Sequence, residues 1–159
     1  MIKRRTIKKL TQERDHLTNI MARHDFRKRG KLNAVVIDDD FSVLRLMKSY
    51  LKDYGFQTVS VYEDEYNGLK SIAENLPDIV ILDLRLKITN GINIAKVLSS
   101  MIGIEVPVLL ISEQNKNEKE LIEVVNSTRV RFLKKPFNKT LLEEKLFNLL
   151  ERKELKKTG

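Results

Sequence analysis

The sequence predicts an α/β domain: a doubly wound, five-stranded parallel sheet with helices on both faces. Three observations point to it. From Asn33 onward, short runs rich in Val and Ile alternate five times with stretches of helical period. These runs are apolar at successive positions, as strands covered on both faces require. Strands that alternate with helices are joined by right-handed crossovers into a parallel sheet.

The elements follow in order. Asn33–Asp38 (NAVVID) reads as the first strand. Phe41–Tyr54 places Val43, Leu44, Met47, Tyr50 and Leu51 on one helical face, and Gly55 is suited to end that helix. Phe56–Val61 is the second strand, and Glu65–Asn75 the second helix, weakened by Gly68 in its interior. Pro77 breaks the chain before the third strand, Asp78–Asp83 (DIVILD). Gly91–Met101 is the third helix, Val106–Ile111 the fourth strand and Lys116–Asn126 the fourth helix. Val130–Leu133 is a short fifth strand. The final helix, Asn138–Lys153, carries Leu141, Leu142, Leu146, Leu149 and Leu150 on its inner side.

Composition narrows the chemistry. The absence of Cys excludes disulfides, thiol catalysis and Cys-based zinc sites. A His-based metal site or a Ser-His-Asp triad would have to draw on His16 and His24 alone. No apolar run approaches the length of a membrane span, and no apolar signal core opens the chain, so a soluble cytoplasmic protein is expected. The net charge of +8 first suggests a nucleic-acid binder. Its distribution says otherwise. Residues 1–31 hold eleven Lys and Arg against three acids, net +8, while the remainder holds 19 of each sign. The expected organisation is a basic extension over 1–31, helical or partly disordered, an electrically balanced domain over 32–155, and a short tail over 156–159.

In doubly wound sheets, ligands bind beyond the carboxyl ends of the strands. The first strand ends in Asp38-Asp39-Asp40, the third in Asp83 and the fourth in Ser112, and the fifth is followed by Lys134-Lys135-Pro136-Phe137. Carboxylates brought together raise one another's pKa unless a cation sits among them. Hard oxygen ligands without His or Cys suit magnesium. A Lys and a hydroxyl facing such a group make a site for an anion with several oxygens, which a phosphoryl group satisfies. Gly91 is isolated, so no glycine-rich phosphate loop is present.

The segments VVIDDDFSVLRLMKSYLKDYGF, PDIVILDLRLKITNG, VPVLLIS and RFLKKPF, in this order and spacing, resemble the receiver domain of two-component response regulators. The resemblance runs from about Leu32 to Arg152 and is closest to single-domain chemotaxis and sporulation-relay receivers. It implies a flavodoxin-like sheet of strand order 2-1-3-4-5. It implies Asp83 as phosphoacceptor, and magnesium held by Asp38, Asp39, Asp83 and the backbone carbonyl of Arg85, with Asp39 the direct ligand and Asp38 acting largely through water. It further implies that Ser112 and Lys135 contact the phosphoryl group, that Pro136 follows a cis peptide bond, and that Phe132 turns inward when Ser112 moves. The implied activity is acceptance of phosphate from a histidine kinase or phosphotransfer protein, with no enzymatic action on an external substrate. The implied output is protein–protein contact through the fourth helix, fifth strand and final helix, around Lys116, Arg131, Phe132 and Lys134. No conventional output domain is expected after the last helix.

Some positions depart from the family pattern. Lys87 stands where Pro is usual, Glu113 where a small residue is usual, Thr128-Arg129 in place of Gly-Ala, and Gly68 in place of Ala. None removes a chemical group from the strand ends. Asp40 reads as a helix cap, not a ligand. In the basic extension, Ile7, Leu10, Leu17, Ile20 and Met21 fall near helical spacing with Arg14 interrupting, which suits a docking helix or a dimer seam. Two other readings compete: a nucleic-acid-binding regulator acting through that extension, and a phosphorylation-independent scaffold.

Overall fold

A computed structural model of the chain describes residues 31–87, 89–100, 106–113, 119, 122–123 and 129–157. Five strands, β1 (Asn33–Ile37), β2 (Thr58–Tyr62), β3 (Ile79–Asp83), β4 (Val108–Ser112) and β5 (Val130–Lys134), form one sheet of order β2-β1-β3-β4-β5. Every pairing is parallel, with Ala34 beside both Val59 and Ile79, Asp83 beside Ile111, and Ser112 beside Lys134. The helices are α1 (Phe41–Tyr54), α2 (Glu65–Asn75), α3 (Gly91–Ser100) and α4 (Lys139–Lys157). The helix expected over 116–126 lies outside the described residues, apart from Lys119, Ile122 and Glu123, which are helical.

The period of two along each strand divides the core into two layers. Ala34, Val36, Ile79, Ile81, Leu109, Ile111 and Leu133 face Leu44, Met47, Leu51 and Tyr54 of α1 and Leu142, Leu146, Leu149 and Leu150 of α4. Val35, Ile37, Val80, Leu82, Val108, Leu110 and Phe132 face Ile72 of α2 and Ile92, Ile94, Ala95 and Leu98 of α3. β3 and β4 are buried at all five positions, which explains their unbroken apolar sequence.

Element ends follow local chemistry. Gly55 closes α1 at φ 123°, a conformation that favours glycine. Its N–H donates to the Lys52 carbonyl at 3.1 Å, and the Phe56 N–H donates to the Leu51 carbonyl at 3.0 Å. This paired closure takes Phe56 out of β2, which starts two residues later than its apolar pattern suggests. β4 likewise begins at Val108 because Pro107 has no N–H to donate. The Asn138 side chain accepts from the Leu141 N–H at 2.8 Å and so caps α4, which starts at Lys139 and runs to Lys157.

Gly68 has a physical reason. A Cβ there would stand 2.4 Å from Cδ1 and 2.6 Å from Cγ1 of Ile37, a fully buried side chain that immediately precedes Asp38. α2 therefore packs on β1 by backbone approach. Gly68→Ala gains up to about 1 kcal/mol of helix propensity but overpacks the core at a cost of roughly 1–3 kcal/mol. A net loss in urea-denaturation midpoint is expected. In an Ile37→Ala background, which removes both crowded carbons, the same substitution is expected to stabilise. Additive effects of the two changes would contradict this contact.

Candidate functional site

The C-terminal edge of the sheet carries the site. Asp38 follows β1, and its N–H donates to the Tyr62 carbonyl at 3.1 Å, so the carboxylate leaves from an anchored backbone. The side chain is fully buried. Its Oδ1 accepts from the Asp40 N–H at 2.8 Å, and its Oδ2 accepts from Lys135 Nζ at 2.7 Å. Asp39 is exposed beside it. Asp40 turns away and caps α1, accepting from the Ser42 N–H at 2.8 Å.

Asp83 ends β3 and is buried, with Oδ1 accepting from the Arg85 N–H at 3.3 Å. Oxygens of Asp38, Asp39 and Asp83 all lie within 4.8 Å of one another. Lys135 reaches this cluster from the end of β5, and its N–H donates to the Ser112 carbonyl at 2.8 Å. Its Nζ is 3.7 Å from Asp83 Oδ1, an ångström farther than from Asp38. The Lys135-Pro136 peptide is cis. Burial, and next the Asp38 charge, push the Asp83 carboxyl up to about 6, while Lys135 and the Arg85 N–H oppose the shift.

The other predicted residues take separate places. Ser112 is buried at the end of β4, one residue beyond the partner of Asp83. Phe132 is buried beside Leu110 in the second core layer. Arg85 is bridged to Asn90 in antiparallel fashion, which draws the β3–α3 connection together. Lys87 and Glu113 are exposed at the rim. Thr128 lies outside the described residues, whereas Arg129 donates from its guanidinium to the Leu149 carbonyl at 3.3 Å.

Gly91 was legible only as a lone glycine opening a helix. Its N–H donates to the Leu84 carbonyl at 2.8 Å, and a Cβ there would stand 2.6 Å from the carbonyl oxygen of Asp83. Any side chain at this position would press on the backbone that carries the buried carboxylate.

Three hard oxygen donors that repel one another and need a cation fit magnesium. The sequence matches the response regulator receiver domain family over residues 34–147. The chain belongs to that family. Over 120 residues the receiver is 30% identical to chemotaxis protein CheY-3 of Vibrio cholerae, a match spanning 74% of this chain and 92% of that protein. Among solved structures it is similar to a receiver domain protein from Clostridium thermocellum (TM-score 0.68, 23% identity, 78% of this chain and 98% of the other). It is also similar to the chemotaxis response regulator CheY4 of Vibrio cholerae (TM-score 0.66, 22% identity, 76% and 100%). These two show the fold. Receiver domains are phospho-accepting signalling modules of two-component systems, not enzymes acting on external substrates, and this chain has that role. No helix among the described residues is long and apolar enough to cross a membrane.

Proposed function

We propose that this receiver accepts a phosphoryl group on Asp83 from a histidine kinase or phosphotransfer protein and signals by protein–protein contact. The observation that carries this reading is the buried Asp83 carboxylate, clustered with Asp38 and Asp39 and faced by Lys135. A carboxylate oxygen of Asp83 attacks phosphorus, the donor's bond to phosphorus breaks, and an acyl phosphate forms. The Lys135 ammonium and the Ser112 hydroxyl take the phosphoryl oxygens. Magnesium would be held by Asp39, Asp83 and the Arg85 carbonyl, and when bound it neutralises charge on the transferred group. Both Asp38 oxygens already accept hydrogen bonds, which supports a role through water and not direct ligation.

In this reading residues 32–155 form the receiver. Lys87 and Glu113 at the rim set donor entry and phosphoryl lifetime. Lys135 exchanges Asp38 for a phosphoryl oxygen, Ser112 moves with it, and Phe132 follows on the β5 surface that partners meet. Incubation with acetyl phosphate and magnesium is expected to add one phosphoryl mass to the protein and none to Asp83→Asn. No gain, or a gain that persists in Asp83→Asn, would refute the assignment.

A further inference from the structure

The exposed face of α2 carries an apolar stripe that the site does not use. Tyr66 is 73% exposed, Leu69 36% and Leu76 55%, and Ala73 is exposed between them. The spacing of three and four residues places Tyr66, Leu69 and Ala73 along one side of the helix, beside the buried face of Gly68, Ser71 and Ile72, and Leu76 stands just past its last residue. A contiguous exposed apolar stripe marks a contact surface. Leu76 adds a second observation. It closes α2 in the left-handed region at φ 40°, where Gly or Asn is favoured, yet it presents a leucine side chain outward. That choice costs about 1 kcal/mol or more of backbone strain and gains nothing against water alone.

We propose that this stripe is the docking surface for residues 1–30 of the same chain. Three features select that occupant. Residues 1–30 join the domain next to the stripe, because Asn33 and Asp78 exchange hydrogen bonds at 2.9 Å and Asp78 lies two residues beyond Leu76. Ile7, Leu10, Leu17 and Met21 repeat the same three-and-four spacing, with Arg14 in the middle of the seam. Charge is complementary. Glu63, Asp64 and Glu74 are exposed around the stripe with Lys70 the single base, whereas residues 1–31 carry net +8. Thirty residues exceed what is needed to lie along α2, whose length is about 16 Å.

The chain has no Trp, so Tyr66→Trp in the full-length protein supplies a single reporter. Its emission is expected to be blue-shifted, to stay so on dilution, and to move to the red when Leu10→Glu and Leu17→Glu are added. Those two changes lie outside the receiver and leave its core untouched. In hydrogen exchange, Leu76→Asn suits the backbone at that position, so it is expected to preserve the receiver while lowering protection of residues 1–30 roughly tenfold. An indole that emits as in water overturns the proposal. So does a blue shift that ignores the two Glu substitutions, or one lost on dilution as a dimer dissociates, which would assign the stripe to a second copy.

Discussion

Asp83→Asn is expected to raise the stability of this protein at neutral pH while abolishing its phosphorylation. The Asp83 carboxyl is raised from 3.8 to about 6 by burial and by the Asp38 charge. The folded state therefore holds this proton more tightly than the unfolded chain does. Stability from that preference is fully present below about pH 4 and is lost as pH rises through 6. At pH 7.5 the ionised group costs roughly 1–3 kcal/mol, which a neutral amide of the same shape avoids. Urea denaturation of both proteins at pH 7.5 and 4.5 is expected to show the variant ahead at the higher pH and the gap narrowing at the lower one. Magnesium is expected to stabilise the natural protein more than the variant, because a cation among the carboxylates favours the folded state that gathers them. A variant less stable than the natural protein at pH 7.5 would contradict the cause assigned to the shift.

The opposite sign is expected at Lys135. Its Nζ is the cation 2.7 Å from a fully buried Asp38, and it also faces Asp83. Lys135→Met keeps the stem that crosses the edge of the core and removes the charge. Two buried carboxylates then face each other without compensation, at a cost of about 3–5 kcal/mol at neutral pH. Lys135 also holds the Asp83 carboxyl down, so its loss pushes that group further upward. The deficit is accordingly expected to shrink as pH falls and Asp83 takes up a proton. A denaturation series across pH reads this directly, and a loss independent of pH would mean that Lys135 acts by packing alone.

These opposed effects describe a destabilised cluster. Among the described residues it is held by the Lys135 ammonium, 2.7 Å from Asp38 and 3.7 Å from Asp83. The charge repulsion gathered at the strand ends is offset by the two apolar layers behind them, where β3 and β4 are buried throughout.

Much of this was legible in the sequence because it is decided locally. α1 and α2 occupy their expected ranges, since Asp40 and Asp64 cap them and Gly55 ends the first. The order of the elements follows from alternation and punctuation, while the strand order β2-β1-β3-β4-β5 matches what the family resemblance implies, parallel crossovers alone leaving several arrangements open. Strand starts were less legible: Phe56 looks like a strand residue but belongs to a helix closure, and the strand expected from Val106 begins at Val108, after Pro107, which has no N–H to donate.

The sequence by itself determined which chemical groups stand at the strand ends, because topology alone carries Asp38, Asp83, Ser112 and Lys135 to one edge of the sheet. Only the tertiary structure decided how they interact. Lys135 lies 97 residues from Asp38 in the chain, and its preference for Asp38 over Asp83 is a matter of an ångström. The raised Asp83 carboxyl depends on burial and on charges from another strand. The close approaches at Gly68 and Gly91 arise where a helix meets a strand. Such quantities come from packing between distant segments, and residue patterns along one segment do not contain them.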